Sequence, residues 1–323
     1  MNLYPFKFQP ILKERLWGGT KLNTVLEKPI TSDITGESWE LSAVPGDISV
    51  VANGELADTS LQEIINEAKG ALLGEKVYER FGTDFPILIK FIDAKQDLSI
   101  QVHPNDELAK ERHNSFGKTE MWYIMQADPG SELIVGFNKD VSKAEYQEHL
   151  DNNTVTDLMN YEAVKEGDTF FINTGTIHAI GAGIMLAEIQ QTSDITYRVY
   201  DFNRKDKEGN LRELHTELAL DAITYEKKDD FKVEYKNEEN VCGEMVDCPY
   251  FTTNYWNITK ETKIDVTERD SFTIFMCTKG AATITTPAGA IDIKKGETVL
   301  LPADSKQITI SDDAVELLEV YIS

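Results

Sequence analysis

The feature that most constrains the fold of this chain is a series of short apolar or alternating segments spread over its length. These segments are rich in Ile, Val, Thr, Tyr and Phe, which favour strands. Gly, Pro, Asn and Asp separate them, as turns separate the strands of a sandwich or barrel. The pattern therefore predicts a mainly β protein. Clear examples are ILIKFIDA at 87–94, MWYIM at 121–125, ELIVGF at 132–137, FTIFMC at 272–277 and ETVLLPA at 297–303.

Helical patterns are confined to a few stretches, chiefly 59–73, 105–113, 140–150 and 214–223. Two of these stretches begin with the spacing of a capping box, in which a serine precedes a glutamate by three residues. We therefore predict helical insertions packed on a β framework. The two pairs are Ser60 with Glu63 and Ser142 with Glu145.

The overall charge limits the classes of partner. The chain has 32 Lys plus Arg against 56 Asp plus Glu, a net charge of −24 at pH 7, which argues against nucleic acid and anionic membranes. It shows neither a membrane-spanning stretch nor a signal-peptide pattern, so we expect a cytoplasmic location. We also expect a monomer or weak homo-oligomer. Three cysteines without a Cys-x-x-Cys pair support neither a disulfide framework nor a thiolate zinc site.

The charged segment 227–240 separates two sets of strand-like runs, which predicts domains at 1–236 and 237–323. A weak internal repeat relates the two domains, because three positions separated by steps of six and then five residues occur in both. It predicts a duplicated β-barrel unit whose second copy lacks metal ligands, although two unrelated β domains would look similar. The matching residues are Gly167, Asn173 and His178 in the first half, and Gly296, Pro302 and Gln307 in the second.

Two of the five histidines lie in patterns that suit a metal site. Strand alternation puts Gln101 and His103 on one face of segment 98–103, and puts Lys118 and Glu120 together further on. His178 follows a strand and a tight turn. Two imidazoles, a carboxylate and an amide oxygen suit zinc, with iron, manganese or cobalt as alternatives.

A simpler reading of the same residues is that the two histidines are hydrogen-bonded barrel residues and that Glu120 only pairs with Lys118. The other three histidines lie in polar helical stretches, and we expect them at the surface. These are His113, His149 and His215.

Six segments in order resemble the type I phosphomannose isomerases, in their short bacterial form. They extend from the first residues to about residue 220, and six ordered motifs are far more specific than one. The segments are RLWGG at 15–19, GESWELS at 36–42, QVHPND at 101–106, GKTEMWYI at 117–124, NTGTIHAIGAG at 173–183 and TYRVYDFNR at 196–204.

The resemblance implies the cupin fold, a double-stranded β-helix or jelly roll, here as two β-barrel units with helical insertions. It also implies that His103, Glu120 and His178 bind one Zn²⁺ per chain. Gln101 lies where longer family members supply a further ligand. The implied activity is metal-dependent interconversion of mannose 6-phosphate and fructose 6-phosphate through a cis-enediol.

Arg198 matches the catalytic arginine of the family, and Lys118 is a second catalytic candidate. Lys90, Trp17 and Glu37 are candidates for substrate binding. Each has a structural alternative: an edge-strand position for Lys90, a core indole at a turn for Trp17, and a surface carboxylate for Glu37.

For Arg198 the alternative is a structural ion pair with Asp194 or Asp201. Two other classes of function remain open. An Fe(II) cupin of oxygen chemistry would explain the metal ligands but not the lysines and the arginine. A non-catalytic sugar-binding protein would explain the fold alone.

Overall fold

The strands of the first part of the chain follow the predicted short segments. The computed structural model describes residues 1–206, 208–311 and 314–323. Thirteen strands precede residue 201 in this part of the chain: β1 Ile11–Gly19, β2 Thr35–Leu41, β3 Ala43–Val44, β4 Asp47–Ile48, β5 Ile87–Ala94, β6 Ile100–Val102, β7 Glu120–Ala127, β8 Glu132–Phe137, β9 Met159–Ala163, β10 Thr169–Ile172, β11 His178–Ile180, β12 Ile184–Gln191 and β13 Tyr197–Tyr200.

Eight further strands lie beyond residue 241 among the described residues. They are β14 Cys242–Asp247, β15 Thr252–Ile258, β16 Thr262–Asp265, β17 Thr273–Thr286, β18 Gly289–Lys294, β19 Thr298–Leu301, β20 Gln307–Ile310 and β21 Val315–Tyr321. The prediction of a mainly β protein is confirmed.

The helices are short and lie between strands. They are α1 Lys21–Thr24, α2 Leu61–Ala68, α3 Gly70–Leu73, α4 Glu75–Phe81, α5 Asp106–His113, α6 Lys143–Asp151 and α7 Thr216–Ala222, with a 3-10 helix at Val155–Leu158. All four predicted stretches contain a helix, whereas α1 and α4 were not predicted. The helical insertions on a β framework are therefore confirmed.

The two serine caps differ in one respect. Ser60 and Glu63 form the full reciprocal capping box at the start of α2. Ser142 accepts a hydrogen bond from the Glu145 amide at the start of α6, but the Glu145 carboxylate pairs with Lys139 at 2.7 Å. The Glu145 carboxylate therefore pairs with Lys139, and the second half of the capping box, a hydrogen bond from the Ser142 amide to this carboxylate, is absent among the described contacts.

The first unit is a jelly roll of two facing sheets. One sheet has the order β1-β2-β5-β12-β7-β10, and the other has the order β13-β6-β11-β8-β9. An apolar cluster joins their inner faces, with Trp122 and Leu186 from the first sheet against Val135 and Ile180 from the second. The central strands β5, β7 and β12 of the first sheet are buried along almost their whole length, so the charged side chains that they carry lie inside the protein.

The strands beyond residue 241 form one further sheet, with the order β14-β15-β21-β17-β20-β16 and with β18 and β19 also paired to β17. A large apolar cluster joins this sheet to the first unit. It contains Phe85 and Met121 from the first unit, and Phe251, Phe272 and Val320 from the second. The two units therefore share a buried core.

Among the residues that the structure describes, no helix combines the length and apolar character that crossing a membrane requires.

Candidate active site

The three candidate metal ligands come from both facing sheets of the first unit. His103 follows β6, Glu120 begins β7 and His178 begins β11. His178 is directly opposite Gln101 of β6 in an antiparallel pair. All three ligands are almost completely buried, at 1%, 0% and 0% exposure in that order.

Their ligand atoms converge closely enough to share an ion. His178 Nε2 lies 3.3 Å from Glu120 Oε1, and His103 Nε2 lies 3.7 Å from Glu120 Oε2. Atoms that bind one tetrahedral zinc at about 2.1 Å are roughly 3.4 Å apart. The arrangement therefore fits a transition-metal ion.

The outer hydrogen bonds of both rings select the same tautomer. His103 Nδ1 donates to the carbonyl of Ile195 at 2.8 Å, and His178 Nδ1 donates to the carbonyl of Thr176 at 2.9 Å. Each Nε2 therefore keeps a lone pair directed at the shared centre, which is how metal-binding histidines are usually oriented.

The electrostatics of these groups also suit a cation. Burial lowers the pKa of His178 to about 4 and, with Lys118, lowers the pKa of His103 well below its usual value. Both rings are thus neutral at pH 7, as ligands must be. Burial raises the pKa of Glu120 to about 7, although Lys118 partly opposes this. A cation at the centre would compensate the buried carboxylate.

Glu120 has coordination capacity to spare. Neither of its oxygens accepts a hydrogen bond of normal geometry from a described residue, although Lys118 Nζ lies 2.9 Å from Oε2 as an ion pair. Lys118 Nζ is also 3.1 Å from His103 Nε2, so its ammonium lies beside two of the three ligands. Gln101 Nε2 is 3.2 Å from His178 Nε2, which leaves its amide at the edge of the same centre.

A cavity of about 350 Å³ opens beside this centre, and Gln101 and Lys118 line it. Leu98 and Ser99 line the cavity too. Both residues precede β6, which begins at Ile100, so the alternation of the strand does not fix the side of Leu98. Strand alternation over the whole of segment 98–103 also predicts that Leu98 shares a face with Ile100, and this is wrong, since the two side chains belong to different apolar clusters.

Lys90 lies on β5, a central strand of its sheet, so the edge-strand alternative is wrong. Its Nζ is 2.9 Å from Glu188 Oε1, and Glu188 Oε2 accepts a hydrogen bond from Trp122 Nε1 at 3.0 Å. Both charged side chains line the cavity. Sequence reasoning missed Glu188, although a carboxylate inside the apolar run IMLAEIQQ carries the same signal as Lys90 inside ILIKFIDA.

Glu37 is 9% exposed, so the surface-carboxylate alternative is wrong for it. It accepts a hydrogen bond from Trp39 Nε1 at 2.6 Å and binds Arg15 through both oxygens. Sequence reasoning did not single out Arg15. Trp17 is both a core residue, at 4% exposure, and part of the cavity wall.

Arg198 makes no ion pair with Asp194 or Asp201 among the described contacts, so that alternative is wrong. Asp201 instead binds Arg204 and Arg212, each at 2.6 Å. Arg198 donates from one terminal nitrogen to the carbonyl of Glu213 at 2.8 Å and lines the cavity. Its guanidinium thus keeps donors for a ligand.

His215 is not a simple surface residue. It is half-buried, and its Nδ1 accepts a hydrogen bond from the backbone amide of Arg198 at 3.1 Å. The ring therefore fixes the strand that carries the arginine. A histidine in a polar helical stretch gave no sign of this contact.

Comparison with known families places the two units separately. Residues 5–131 match the catalytic domain of type I phosphomannose isomerase, and residues 242–322 match the cupin domain of mannose-6-phosphate isomerase. The cupin fold expected from the motifs is confirmed by these matches and by the sheets described above.

Individual relatives match over nearly the whole chain. Mannose-6-phosphate isomerase ManA of Bacillus subtilis is 36% identical over 305 residues, which cover 94% of each chain. Mannose-6-phosphate isomerase of Streptococcus mutans is 35% identical over 314 residues, which cover 96% of each chain. The crystal structure of mannose 6-phosphate isomerase from Bacillus subtilis superposes with a TM-score of 0.90 at 33% identity, covering 99% of this chain and all of the other. The chain therefore belongs to the type I mannose-6-phosphate isomerase family of enzymes.

Proposed function

We propose that the chain interconverts mannose 6-phosphate and fructose 6-phosphate in the cavity beside His103, Glu120 and His178, with one bound Zn²⁺ and through a cis-enediol intermediate. The observation that carries the proposal is the convergent ligand triad buried beside a basic cavity, to which Gln101 and Lys118 connect it. The names of the close relatives support the substrate pair.

The charge of the cavity suits a sugar phosphate. The protein as a whole carries −24, yet the basic side chains outnumber the acidic ones around this cavity. The positive charge around the cavity therefore attracts a dianionic substrate that the negative charge of the whole protein repels. The basic residues are Arg15, Lys90, Lys118, Arg198 and Arg212, and the acidic ones are Glu37, Glu188 and Asp194.

His103, Glu120 and His178 are the residues that would hold the ion, and Gln101 is the candidate for a fourth ligand. When bound, a divalent cation supplies a Lewis acid that stabilises negative charge developing on a sugar oxygen. The single carboxylate of Glu120 would neutralise only part of the 2+ charge, so the ion would remain a Lewis acid.

Isomerisation moves the C2 proton of the aldose to C1 and exchanges protons between the two oxygens. Lys118 Nζ lies at the cavity wall next to the ligand triad, where it can exchange a proton with a sugar oxygen. Arg198 faces the same space with donors to spare and orients the phosphosugar or stabilises the charge of the enediolate. Lys90, Trp17 and Glu37 shape the binding surface.

The reaction route is tested with mannose 6-phosphate deuterated at C2. Proton transfer through an enediol predicts a primary isotope effect, with part of the label moved to C1 and part lost to water. Complete transfer of the deuterium to C1, with none lost to water, would indicate a hydride shift and contradict the route.

The roles of the two cations are tested by Lys118→Met and Arg198→Lys. Each should lower kcat/KM by about 10²-fold or more, as the loss of one preorganised donor does. Arg212→Lys is the matched control, because Arg212 lines the same cavity but is held by two contacts with Asp201. Equal effects of Arg198→Lys and Arg212→Lys would contradict a special role for Arg198.

Several coarser expectations accompany the proposal. We propose a cytoplasmic location, a monomer or weak homo-oligomer, and domains at 1–236 and 237–323, the second without metal ligands. The matches to two separate family domains support the division. The lysines and the arginine around the cavity favour the isomerase over an Fe(II) cupin of oxygen chemistry.

A further inference from the structure

The second unit contains a cavity of its own, of about 610 Å³. It opens over the neighbouring strands β14, β15 and β21, and its polar floor includes Asn254, Glu319 and Arg269. Trp256 and Tyr321 line it as well. The cavity is therefore separate from the catalytic one, whose lining comes from residues before 213.

Strand register shows that the two cavities occupy equivalent positions. In the first unit, Glu188 is paired with Lys90 on one side and with Trp122 on the other. In the second unit, Glu319 is paired with Asn254 and with Phe275 in the same way. The correspondence continues at the next strand, where Trp39 and Glu244 take the same place.

The remaining pairings agree with this match. Seven pairs of neighbouring strands in the first unit have counterparts in the second, with β17 taking the places of both β7 and β8, whereas β1-β2, β3-β4 and β13-β6 have none among the described residues. Gly167 and Gly296 precede the equivalent strands β10 and β19 by the same number of residues, and both have a left-handed φ, at 88° and 84°. The weak repeat in the sequence thus corresponds to a repeated set of pairings.

Two of the metal-ligand positions carry other residues in the second unit, and an arginine lies beside one of them. Thr273 takes the place of Glu120, because the two have equivalent partners on β19 and β10. Gln307 takes the place of His178 at the start of β20. Arg269 donates to Thr273 Oγ1 at 2.9 Å and to Glu319 Oε1 at 2.7 Å. Arg269 thus donates directly to Thr273, the residue at the position equivalent to Glu120.

The floor of this second cavity is a built hydrogen-bonding site. Glu319 is only 1% exposed and also accepts hydrogen bonds from Trp256 Nε1 at 2.9 Å and Asn254 Nδ2 at 3.1 Å. The Arg269 guanidinium stacks 3.5 Å above the Tyr321 ring. Fixed polar groups beside aromatic rings are the usual composition of a small-molecule site.

The charges of the second cavity exclude a sugar phosphate. Asn254 replaces the Lys90 ammonium in the equivalent position, and Arg269 is the single basic residue among the described residues that line the cavity. Its charge is neutralised by Glu319, while Glu244 and Asp247 add two further carboxylates. A dianion would meet net repulsion, whereas hydroxyl groups can both donate to the carboxylates and accept from the amide.

We propose that this cavity is a second binding site and that its ligand is an uncharged sugar. The inference goes beyond the isomerase activity, since no reacting group or metal ligand is required of the second unit.

Cys242 provides a local readout, because it lines the second cavity whereas Cys248 does not. Both thiols are partly buried, and burial together with Glu319 raises the pKa of Cys242 to about 11. Alkylation by iodoacetamide would be followed peptide by peptide with mass spectrometry at about pH 9, where thiolate begins to form. The full metal-loaded protein would be used, with mannose, fructose or glucose added up to saturation.

The expected result is that at least one unphosphorylated hexose slows alkylation of Cys242 by about fivefold or more, the mark of high site occupancy. Alkylation of Cys248 should not change. Mannose 6-phosphate should not protect Cys242 and should not compete with the hexose, because it binds in the other cavity. This readout is independent of turnover, so failure here and failure of the isomerase proposal are distinguishable.

Asn254→Leu should raise the hexose concentration needed for protection by about tenfold, as the loss of one polar contact does. Asn257→Leu is the matched control, because Asn257 lies on the same strand but binds Asn237 outside the cavity. Circular dichroism and isomerase turnover verify that both variants are folded. The proposal is overturned by wild-type protein in which no hexose protects Cys242, or by protection that is equal in folded Asn254→Leu and Asn257→Leu. The wild-type result decides the matter even if a variant does not fold.

Discussion

Lys90 and Glu188 show how a few side chains fix the chemistry of the site. Both are nearly inaccessible to solvent, at 5% and 3% exposure, and each is the ionic partner of the other. Burying two charges is costly, and leaving one of them without its partner costs more. Burial alone would raise the pKa of Glu188, but Lys90 and Lys118 outweigh it and lower the pKa to about 2. The pair is therefore ionised at neutral pH.

This pairing gives a test at the level of single residues. Lys90→Met leaves the Glu188 carboxylate buried without its nearest ammonium, and the free energy of unfolding should fall by about 3–5 kcal/mol at pH 7. The double variant Lys90→Met with Glu188→Gln should recover most of this loss, since no unpaired charge remains. Urea denaturation of the four proteins measures the coupling. Additive losses would contradict a paired buried charge.

The same pair has a defined pH dependence. A carboxyl group whose pKa is lowered on folding stabilises the protein above its unfolded pKa of about 4.3 and loses that contribution as pH falls. The stability difference between the wild type and Glu188→Gln should therefore narrow as pH falls from about 4.3 toward 2. A difference that widens over this range would mean that Glu188 is buried in its neutral form.

At the scale of elements, the turn between β10 and β11 sets the geometry of the metal centre. Gly175 has φ of 84°, and its amide donates to the carbonyl of His103 at 3.0 Å. The turn therefore connects the loop that carries His103 with the strand that begins at His178. A Cβ at this position would lie 2.6 Å from Thr224 Oγ1 and 2.9 Å from the carbonyl of Ala222.

Gly175→Ala should thus weaken zinc binding as well as stability. The control is Gly130→Ala, because Gly130 has an almost identical φ of 85° and no described atom lies within 4 Å of the place that its Cβ would take. Both changes carry backbone strain of about 1–3 kcal/mol. The difference in zinc affinity between the two variants therefore reports the effect of displacing the turn at Gly175. Competition with a chromophoric chelator measures the affinity. Equal zinc affinities in the two variants would show that the turn does not position the ligands.

The sequence predicted elements unevenly, for identifiable reasons. Strand alternation located His103 and Glu120, because a period of two fixes which side chains share a face. It failed at Leu98, which precedes the strand and is not bound by its period. The helix α4 was missed because its cap is Gly74, without a side-chain signal. Glu188 and Arg15 were missed because their importance comes from partners on other strands.

At the scale of the whole molecule, the two units are joined by the buried cluster that they share. Phe272 of the second unit packs against Phe85 of the first with ring centroids 5.0 Å apart, and both are at most 1% exposed. The chain also crosses between the units near its start, where Phe6 pairs with Leu300. Apolar burial of this kind couples the stability of neighbouring units.

Phe272→Ala should therefore destabilise both units together. The expected loss is about 3–5 kcal/mol, as for other large-to-small changes in a core. Hydrogen exchange should show earlier opening of β5 and β7 as well as of β17. Phe275→Ala is the control, since Phe275 belongs to a cluster within the second unit. Opening confined to the second unit in both variants would contradict a cooperative shared core.

The sequence could predict the duplicated β architecture but not the contact between the copies. Gly296 and Pro302 repeat the spacing of Gly167 and Asn173 because turns need particular residues. The shared core depends on apolar residues such as Phe85 and Phe272, and an apolar residue in a strand does not reveal which surface will cover it.

The central claim is that the triad holds a metal on which isomerisation depends. The most direct measurement is turnover of mannose 6-phosphate to fructose 6-phosphate, in a coupled assay, before chelation, after chelation and after Zn²⁺ is added back. We predict that chelation abolishes turnover, that Zn²⁺ restores it, and that metal analysis finds one zinc per chain. Undiminished turnover in folded protein shown to be free of metal, or no turnover in folded protein loaded with zinc, would contradict the account.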